Sequence, residues 1–580
     1  MKRLLTGLFF LTCYVLVQAQ SRVFTCDNGD GTFTNPVIYS DFPDIDIIRV
    51  DDVYYMLSTT MFYFPGGTIM RSYDLVNWEY CANPIKIIED DNAFTLKNDE
   101  HRYARGMWAS SFQYNKHDGW YYLLYNTLND GSYLMRTKDI NGSRWSKSKL
   151  NHSFYDCGVL FDEDGKIYVA RGNGQIWIDR VSSDFKVQQS WQVCDSPEGS
   201  TYEGSRLYHI GDYYYVYCVD CAWPGKQMCF RSKTMEGPWE KKLLLDDKVV
   251  HQGGLVQLPN GDWWTMLFRD MWPWGRLPYL LPVKFDDNWP VIGDNGKVID
   301  RPTKPTIEVS AEHSGVNTPR VATNDGFRDT KLGLQWEWNH IPDNNKWSLT
   351  DRPGFMRLKT ATVTNDIWKA RNTLTQRMFG YLPELKKSYG TFRIDISKMQ
   401  DGDCCGITTL QDPHAYLCIK MTDGIKEISV MQTSLTGKTV GNGSRPTKIT
   451  DDVIYLRGIA SFDGTGTIDF YRSSDAVKWT KVGSSFTMQY DLSVFVGNRW
   501  GIFNYATKAL GGYIDIDWFS TDPEFDEDEF YKDESLAIAS PVVKHTNTKG
   551  VYTLQGVKMT NPSNLPPGVY LRNGKKVVVR

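Results

Sequence analysis

Five side chains stand in one register ahead of five similar hairpins: Asp44, Trp108, Asp156, Glu203 and His251, each eight to eleven residues before a tight turn. Taken singly, each has an ordinary explanation. An aspartate ahead of a strand is usually a turn or capping residue, and a lone histidine is usually structural. Brought to one place, however, acidic groups crowded in a cleft perturb one another's protonation. Cleavage of a glycosidic bond uses such a set: a protonated carboxyl donates to the leaving oxygen while an ionised one activates water or attacks the sugar. A third carboxylate beside the acid helps to hold its proton by like-charge repulsion. Asp41 and Asp46, which flank Asp44 in YSDFPDIDII, are rivals for its position, and strand alternation puts Asp46 on the same side as Asp44.

The elements that must position these groups form a repeat. DIIRVDDVYYMLSTT from 46, SSFQYNKHDGWYYLLYNT from 110, GVLFDEDGKIYVARG from 158, SRLYHIGDYYYVYCVD from 205 and GGLVQLPNGDWWTMLFRD from 253 share an apolar strand, a turn and an aromatic-rich strand. The turns fall near Asp52, Gly119, Gly165, Gly211 and Gly261, and the later spacings of 46 to 50 residues match a propeller-blade period. A weaker echo follows each hairpin: RSYDLVNW, RTKDINGSRW, VSSDF, RSKTMEGPW and VKFDDNW. The pattern predicts an all-β, five-bladed β-propeller over residues 30–300. In that fold the first strand of each blade lines the central axis, so residues at its entrance converge.

From about 320 the pattern becomes plain alternating strands, such as YGTFRIDIS, AYLCIKM, VIYLRGIASF and YIDIDWFS, which predict a β-sandwich over 325–522. Residues 301–324, rich in Pro, Gly and polar side chains, read as a linker. Residues 523–536 read as an acidic linker and 537–580 as a small C-terminal β module. Residues 1–19 have early basic residues, a short apolar run and Val17-Gln18-Ala19, the pattern of a secretory signal peptide. Nothing after them is apolar enough to span a bilayer.

With 65 basic and 69 acidic residues, the chain lacks the footprint of a nucleic-acid or anionic-membrane binder, and a neutral partner is expected. Its 20 Trp and 33 Tyr supply flat faces that suit sugar rings, although most must be core. Ten cysteines follow the leader; CxxC at Cys218 and Cys221 has no second pair at zinc spacing, so buried thiols or one or two disulfides are expected.

On these residues the chain resembles glycoside hydrolase family 43. NPVIYSDFPDIDIIRVDDVYYMLSTT, GMWASSF, YDCGVLFDEDGKIYV, EGSRLYHIGDYYYV and HQGGLVQLPNGDWW stand in family order. LGLQWEWNHIPDNNKWSL and GNRWGIFNYATKALGGYIDIDWF resemble the concanavalin-like β-sandwich of its β-xylosidase and α-L-arabinofuranosidase branch. Ile45 departs from the commoner PDPD or PDPS motif. The final module is similar to sorting or attachment modules of secreted bacterial proteins.

The resemblance implies an inverting mechanism with Asp44 as general base, Glu203 as general acid and Asp156 as the group that raises the acid's pKa. It makes Trp108, His251 and Arg276 substrate-binding residues, requires no cofactor, and allows a structural calcium near His251. The expected protein is a secreted exo-glycosidase, in the periplasm or on the surface of a Gram-negative bacterium. It would release terminal α-L-arabinofuranosyl or β-D-xylosyl units, with a lean to the former, from arabinoxylan, xyloglucan or arabinan. The alternatives are a non-catalytic sugar-binding propeller, or an endo-acting or β-galactosidase-type member of the same family. A retaining fructan-cleaving propeller ranks low, since its Trp-Met-Asn-Asp opening is absent. The role of the sandwich and the oligomeric state stay open.

Overall fold

Each repeat folds as a four-stranded antiparallel sheet whose strands pair in sequence order. The first blade holds β1 (Asp46–Val50), β2 (Val53–Ser58), β3 (Thr68–Ser72) and β4 (Trp78–Ala82). The inner strands of the next four blades are Ser111–Asn115, Gly158–Phe161, Tyr202–Ile210 and Val250–Gln257. They touch in a ring, each against the next, and Val250–Gln257 returns to β1. Five blades therefore close around one axis, as the period predicts. Burial falls outward: Val250–Gln257 is buried at all but its last residue, whereas the outermost strand of the second blade, Ser146–Leu150, is almost wholly exposed.

The hairpin turns explain why the repeat is legible. Gly119, Gly165, Gly211 and Gly261 have φ of 71°, 79°, 61° and 92°, and Asp51 takes the same left-handed region at 54° in the first blade. Turns of this hand match the twist of the flanking strands, and glycine adopts them without a Cβ clash. The echo motif is also a turn. In RSYDLVNW, Asp74 Oδ1 accepts from the N–H groups of Val76 and Asn77, and the Trp78 indole N–H donates to the Leu75 carbonyl. The same turn recurs in the second domain at RSSDAVKW, where Asp475 accepts from Val477 and Lys478 and Trp479 donates to Ala476.

The computed structural model describes residues 25–128, 131–142, 144–380 and 387–523, together with three short strands near the C-terminus. The expected signal peptide lies outside the described residues, as does the acidic linker from 524 onward. Val551–Thr553, Gly568–Arg572 and Lys575–Val579 form a three-stranded antiparallel sheet, the described part of the C-terminal module. Among the described residues the only helical elements are two 3-10 turns, and no helix is long and apolar enough to cross a membrane.

The expected linker 301–324 is in part a strap on the propeller. Phe33 N–H donates to the Pro302 carbonyl at 3.0 Å, Lys304 pairs with Asp27, and Val321 is buried with Phe33 and Trp264. Beyond it an eight-stranded and a seven-stranded sheet enclose a core that includes Trp336, Trp500 and Phe519. This is the expected β-sandwich.

The two domains share one sheet. Tyr63–Phe64, from the first blade, pairs with Glu337–Asn339 at the edge of the eight-stranded sheet. Beside that pairing Glu337 is fully buried between two arginines. Its Oε1 accepts from Arg377 Nη1 at 2.9 Å and from the Thr68 hydroxyl at 2.9 Å, and its Oε2 pairs with Arg499 Nη1. Arg377 also donates to the Asp41 carbonyl at 2.9 Å, in the segment that leads to the first blade. Removal of one partner from a buried ion pair leaves an uncompensated charge in low dielectric. Glu337→Ala is expected to lower stability by about 3–5 kcal/mol, read as a fall in the urea midpoint; an unchanged midpoint would show that the junction does not depend on this cluster.

Candidate active site

Asp44 and Asp156 each stand two residues before the inner strand of their blade, and both take left-handed backbone, with φ of 55° and 48°. Gln252, in the inner strand of the fifth blade, does the same at 49°. Such conformations cost non-glycine residues about 1–2 kcal/mol each and persist only where neighbours hold them. Here they are held. The carbonyls of Pro43 and Asp156 accept from Thr59 and Ser205 N–H at 3.1 and 3.0 Å, and Gln252 N–H donates to the Gln227 side chain at 2.8 Å.

This turn ahead of the strand corrects one expectation. With φ positive at Asp44, strand alternation does not relate it to Asp46, and the two carboxylates part. Asp46 is completely buried beneath the site. Its Oδ2 accepts from Phe112 N–H at 2.7 Å and the Ser111 hydroxyl at 3.1 Å, while Oδ1 lies 3.2 Å from Arg206 Nε. Burial raises its pKa, against the pull of Arg206 and these donors. Asp41, the other rival, is structural as well: it accepts from Arg276 N–H at 2.7 Å and Gly497 N–H at 2.9 Å.

The six expected site residues, Asp44, Trp108, Asp156, Glu203, His251 and Arg276, line one cavity of about 340 Å³. That volume lies in the range of small-ligand pockets. Arg276, buried rather than in a surface ion pair, donates through Nη1 to Asp44 Oδ1 at 2.6 Å. Gln252 adds a weaker bond to the same oxygen at 3.3 Å. His251 is buried with Nε2 3.1 Å from Asp270 Oδ2 and no partner for Nδ1. Glu203 Oε2 accepts from the Asn173 amide at 2.9 Å.

The second domain completes the wall. Tyr490, Leu492 and Phe495, from one sandwich loop, line the same cavity. The Phe495 ring stands 5.1 Å from Trp108, and its carbonyl accepts from Arg276 Nη2 at 3.2 Å. Asp41, bonded to Arg276 on one side and Gly497 on the other, ties this loop to the propeller. The open question of the sandwich thus has a partial answer: it helps to build the pocket.

The electrostatics separate the carboxyls. Burial, with the negative charges of Glu203 and Asp44 added, pushes Asp156 well above the usual carboxylate range. Burial also raises Glu203; Asp44 adds to the rise, and Cys221 and Arg276 oppose it. Asp156 and Glu203 titrate as a pair, with a proton retained at higher pH than an isolated carboxyl would keep it. Burial opposes the charge on Arg276, but Asp44 together with Tyr490, Asp41 and Asp270 outweighs it, and the guanidinium pKa is raised. The arrangement brings into one cavity a carboxyl bonded to Arg276 and a pair of carboxyls that favour keeping a proton.

Several site residues escaped the sequence reading. Cys221, expected only as one thiol of the CxxC, lines the cavity beside Glu203; although the residue is exposed, partial desolvation of the thiol and then the Glu203 charge push it up to about 12. Trp223 and Trp272 stand at the rim, 71% and 45% exposed. Only Gln252 had a local signal, its adjacency to His251 in HQGG. The ten described cysteines are all free thiols, so no disulfide forms among them. A calcium near His251 would need six to eight oxygen ligands. The Asp270 carboxylate faces that ring at 3.1 Å, and among the described residues no group of three acidic, His or Cys side chains is placed to hold a metal. The described residues do not fit a protein-caged ion.

Comparison with known proteins agrees with this geometry. Residues 33–290 match Glycosyl hydrolases family 43, and residues 324–522 match the Beta xylosidase C-terminal Concanavalin A-like domain. A beta-xylosidase of Formosa agariphila is 30% identical over 563 residues, which cover 86% of this chain and 91% of that protein. A non-reducing end alpha-L-arabinofuranosidase of Bacteroides ovatus is 26% identical over 527 residues, covering 84% of this chain and 94% of that protein. A solved bifunctional GH43-CE protein of Bacteroides eggerthii superposes with a TM-score of 0.78 at 33% identity; the match covers 85% of this chain and 64% of that longer chain. With both domains matched and a 30%-identical relative aligned over nearly its whole length, the chain belongs to glycosyl hydrolase family 43 and is a glycoside hydrolase.

Proposed function

We propose that this glycoside hydrolase removes terminal pentosyl units, β-D-xylosyl and α-L-arabinofuranosyl, from hemicellulose chains or their oligosaccharides, with inversion at the anomeric carbon. One observation carries the reading. Carboxyls from three blades, Asp44, Asp156 and Glu203, meet Arg276 in a single cavity walled by aromatic residues of both domains. A pocket walled from two domains favours a chain end over a chain interior. Relatives named for both activities support both sugars. The sequence leaned to arabinofuranose; the Formosa agariphila relative, named a beta-xylosidase, gives xylose equal weight.

In this mechanism Asp44, oriented by Arg276 and Gln252, takes a proton from water as the water attacks the anomeric carbon. Glu203 gives its proton to the departing glycosidic oxygen. Separation of base and acid by about 6.5–9.5 Å would admit that water. Asp156, itself disposed to keep a proton, would raise the proton affinity of Glu203 by sharing that proton with it. Trp108 and Phe495 present apolar faces to the sugar ring. The leader-like residues 1–19 support secretion of the mature enzyme.

The test is release of 4-nitrophenol from the β-D-xyloside and the α-L-arabinofuranoside, with product analysis on branched oligosaccharides. Glu203→Gln and Asp44→Asn are each expected to reduce kcat by about 10²–10⁴-fold; no turnover by the unchanged protein on any of these substrates would overturn the reading. A second measurement addresses Asp156. Removal of the group that shares its proton makes Glu203 easier to ionise, so Asp156→Asn is expected to move the basic limb of the kcat/KM profile to lower pH. A limb that stays in place would show that Asp156 does not share a proton with the acid.

A further inference from the structure

A loop outside the cavity wall reaches the acid. Gly172, Asn173 and Gly174 link the second and third strands of the third blade, Ile167–Arg171 and Gln175–Val181. Gly172 N–H donates to the Tyr155 carbonyl at 3.0 Å, and Gly174 N–H donates to the Tyr202 carbonyl at 3.0 Å. The loop is therefore bonded to the residue just before Asp156 and to the residue just before Glu203. Its course is locked further, since the Gly174 carbonyl accepts from Ser196 N–H at 2.6 Å. Gly172 and Gly174 have φ of 140° and 77°, and a Cβ on Gly172 would collide with the Gln175 carbonyl. Between these two fixed points the Asn173 amide donates to Glu203 Oε2 at 2.9 Å.

We propose that Asn173 is a positioning residue for the acid: its amide occupies one carboxyl oxygen of Glu203 and so directs the transferable proton to the other. This rests on the assignment of Glu203 as general acid. In a neutral carboxyl the carbonyl oxygen is a better acceptor than the hydroxyl oxygen, so while the bond holds, the O–H is favoured on the remaining oxygen. As Glu203 releases its proton to the departing oxygen, the amide comes to face a carboxylate. A hydrogen bond to an ionised acceptor is shorter and stronger than one to a neutral acceptor. The contact therefore gains strength along the reaction, which lowers the barrier rather than only tightening the ground state. Loss of a donor that favours the ionised form also raises the acid's pKa.

The experiment compares leaving groups. A pentosyl oligosaccharide departs as a sugar alkoxide and needs the proton; a 2,4-dinitrophenyl glycoside departs without help. Asn173→Ala, and the near-isosteric Asn173→Asp that cannot donate, are expected to lose about tenfold in kcat/KM on the oligosaccharide and to keep near-unchanged kcat/KM on the dinitrophenyl glycoside. The basic limb of the oligosaccharide profile should move to higher pH in Asn173→Ala. Equal losses on both substrates, or none on either, overturn the proposal. Glu203→Gln serves as the control. If it shows the leaving-group contrast while the Asn173 variants do not, only the role of Asn173 fails; if Glu203→Gln falls equally on both substrates, the assignment of the acid fails and the proposal with it.

Discussion

The pocket stands on one buried ion pair. Arg206 and Asp46, 1% and 0% exposed, face each other on the propeller axis at 3.2 Å. Two charges so far from water would be a liability if they met only one another. Instead Arg206 also donates to the carbonyls of Cys157 at 2.9 Å and Ile45 at 3.2 Å, and Asp46 accepts from Ser111 and Phe112. The pair thus fastens the inner strands of four blades at the level just under Asp44 and Asp156. The left-handed turns that lift those two carboxyls out of strand alternation can persist because this level does not yield.

Above that floor the site is assembled by opposition. Asp156 and Glu203 sit where burial and neighbouring charge discourage ionisation, whereas Asp44 receives the Arg276 guanidinium at 2.6 Å. Arg276 has a second duty, since its backbone and side chain bond to Asp41 and to the Phe495 carbonyl. This link adds a wall from the sandwich to the cavity of the propeller. Chemistry and shape are therefore coupled at one arginine.

Much of this was legible in the chain. The blades could be read because their hairpin turns use the same backbone hand, and Asp44, Asp156, Glu203 and His251 because they share a place in the repeat. The failures have physical reasons. Alternation misplaced Asp46 because one residue with positive φ breaks the period of two. Tyr490 and Phe495 left no trace because their meeting with Arg276 depends on how two domains dock, which no local pattern encodes. Asn173 sits in a turn whose composition announces only a turn. Cys221 hid at the end of a strand pattern that was otherwise read correctly.

The pairing of Tyr63–Phe64 with Glu337–Asn339 has a mechanical meaning. A hinge between propeller and sandwich would have to tear main-chain bonds of that shared ladder. Swinging the sandwich away to widen the cavity therefore carries the cost of those main-chain bonds, in addition to that of the side-chain contacts at the junction.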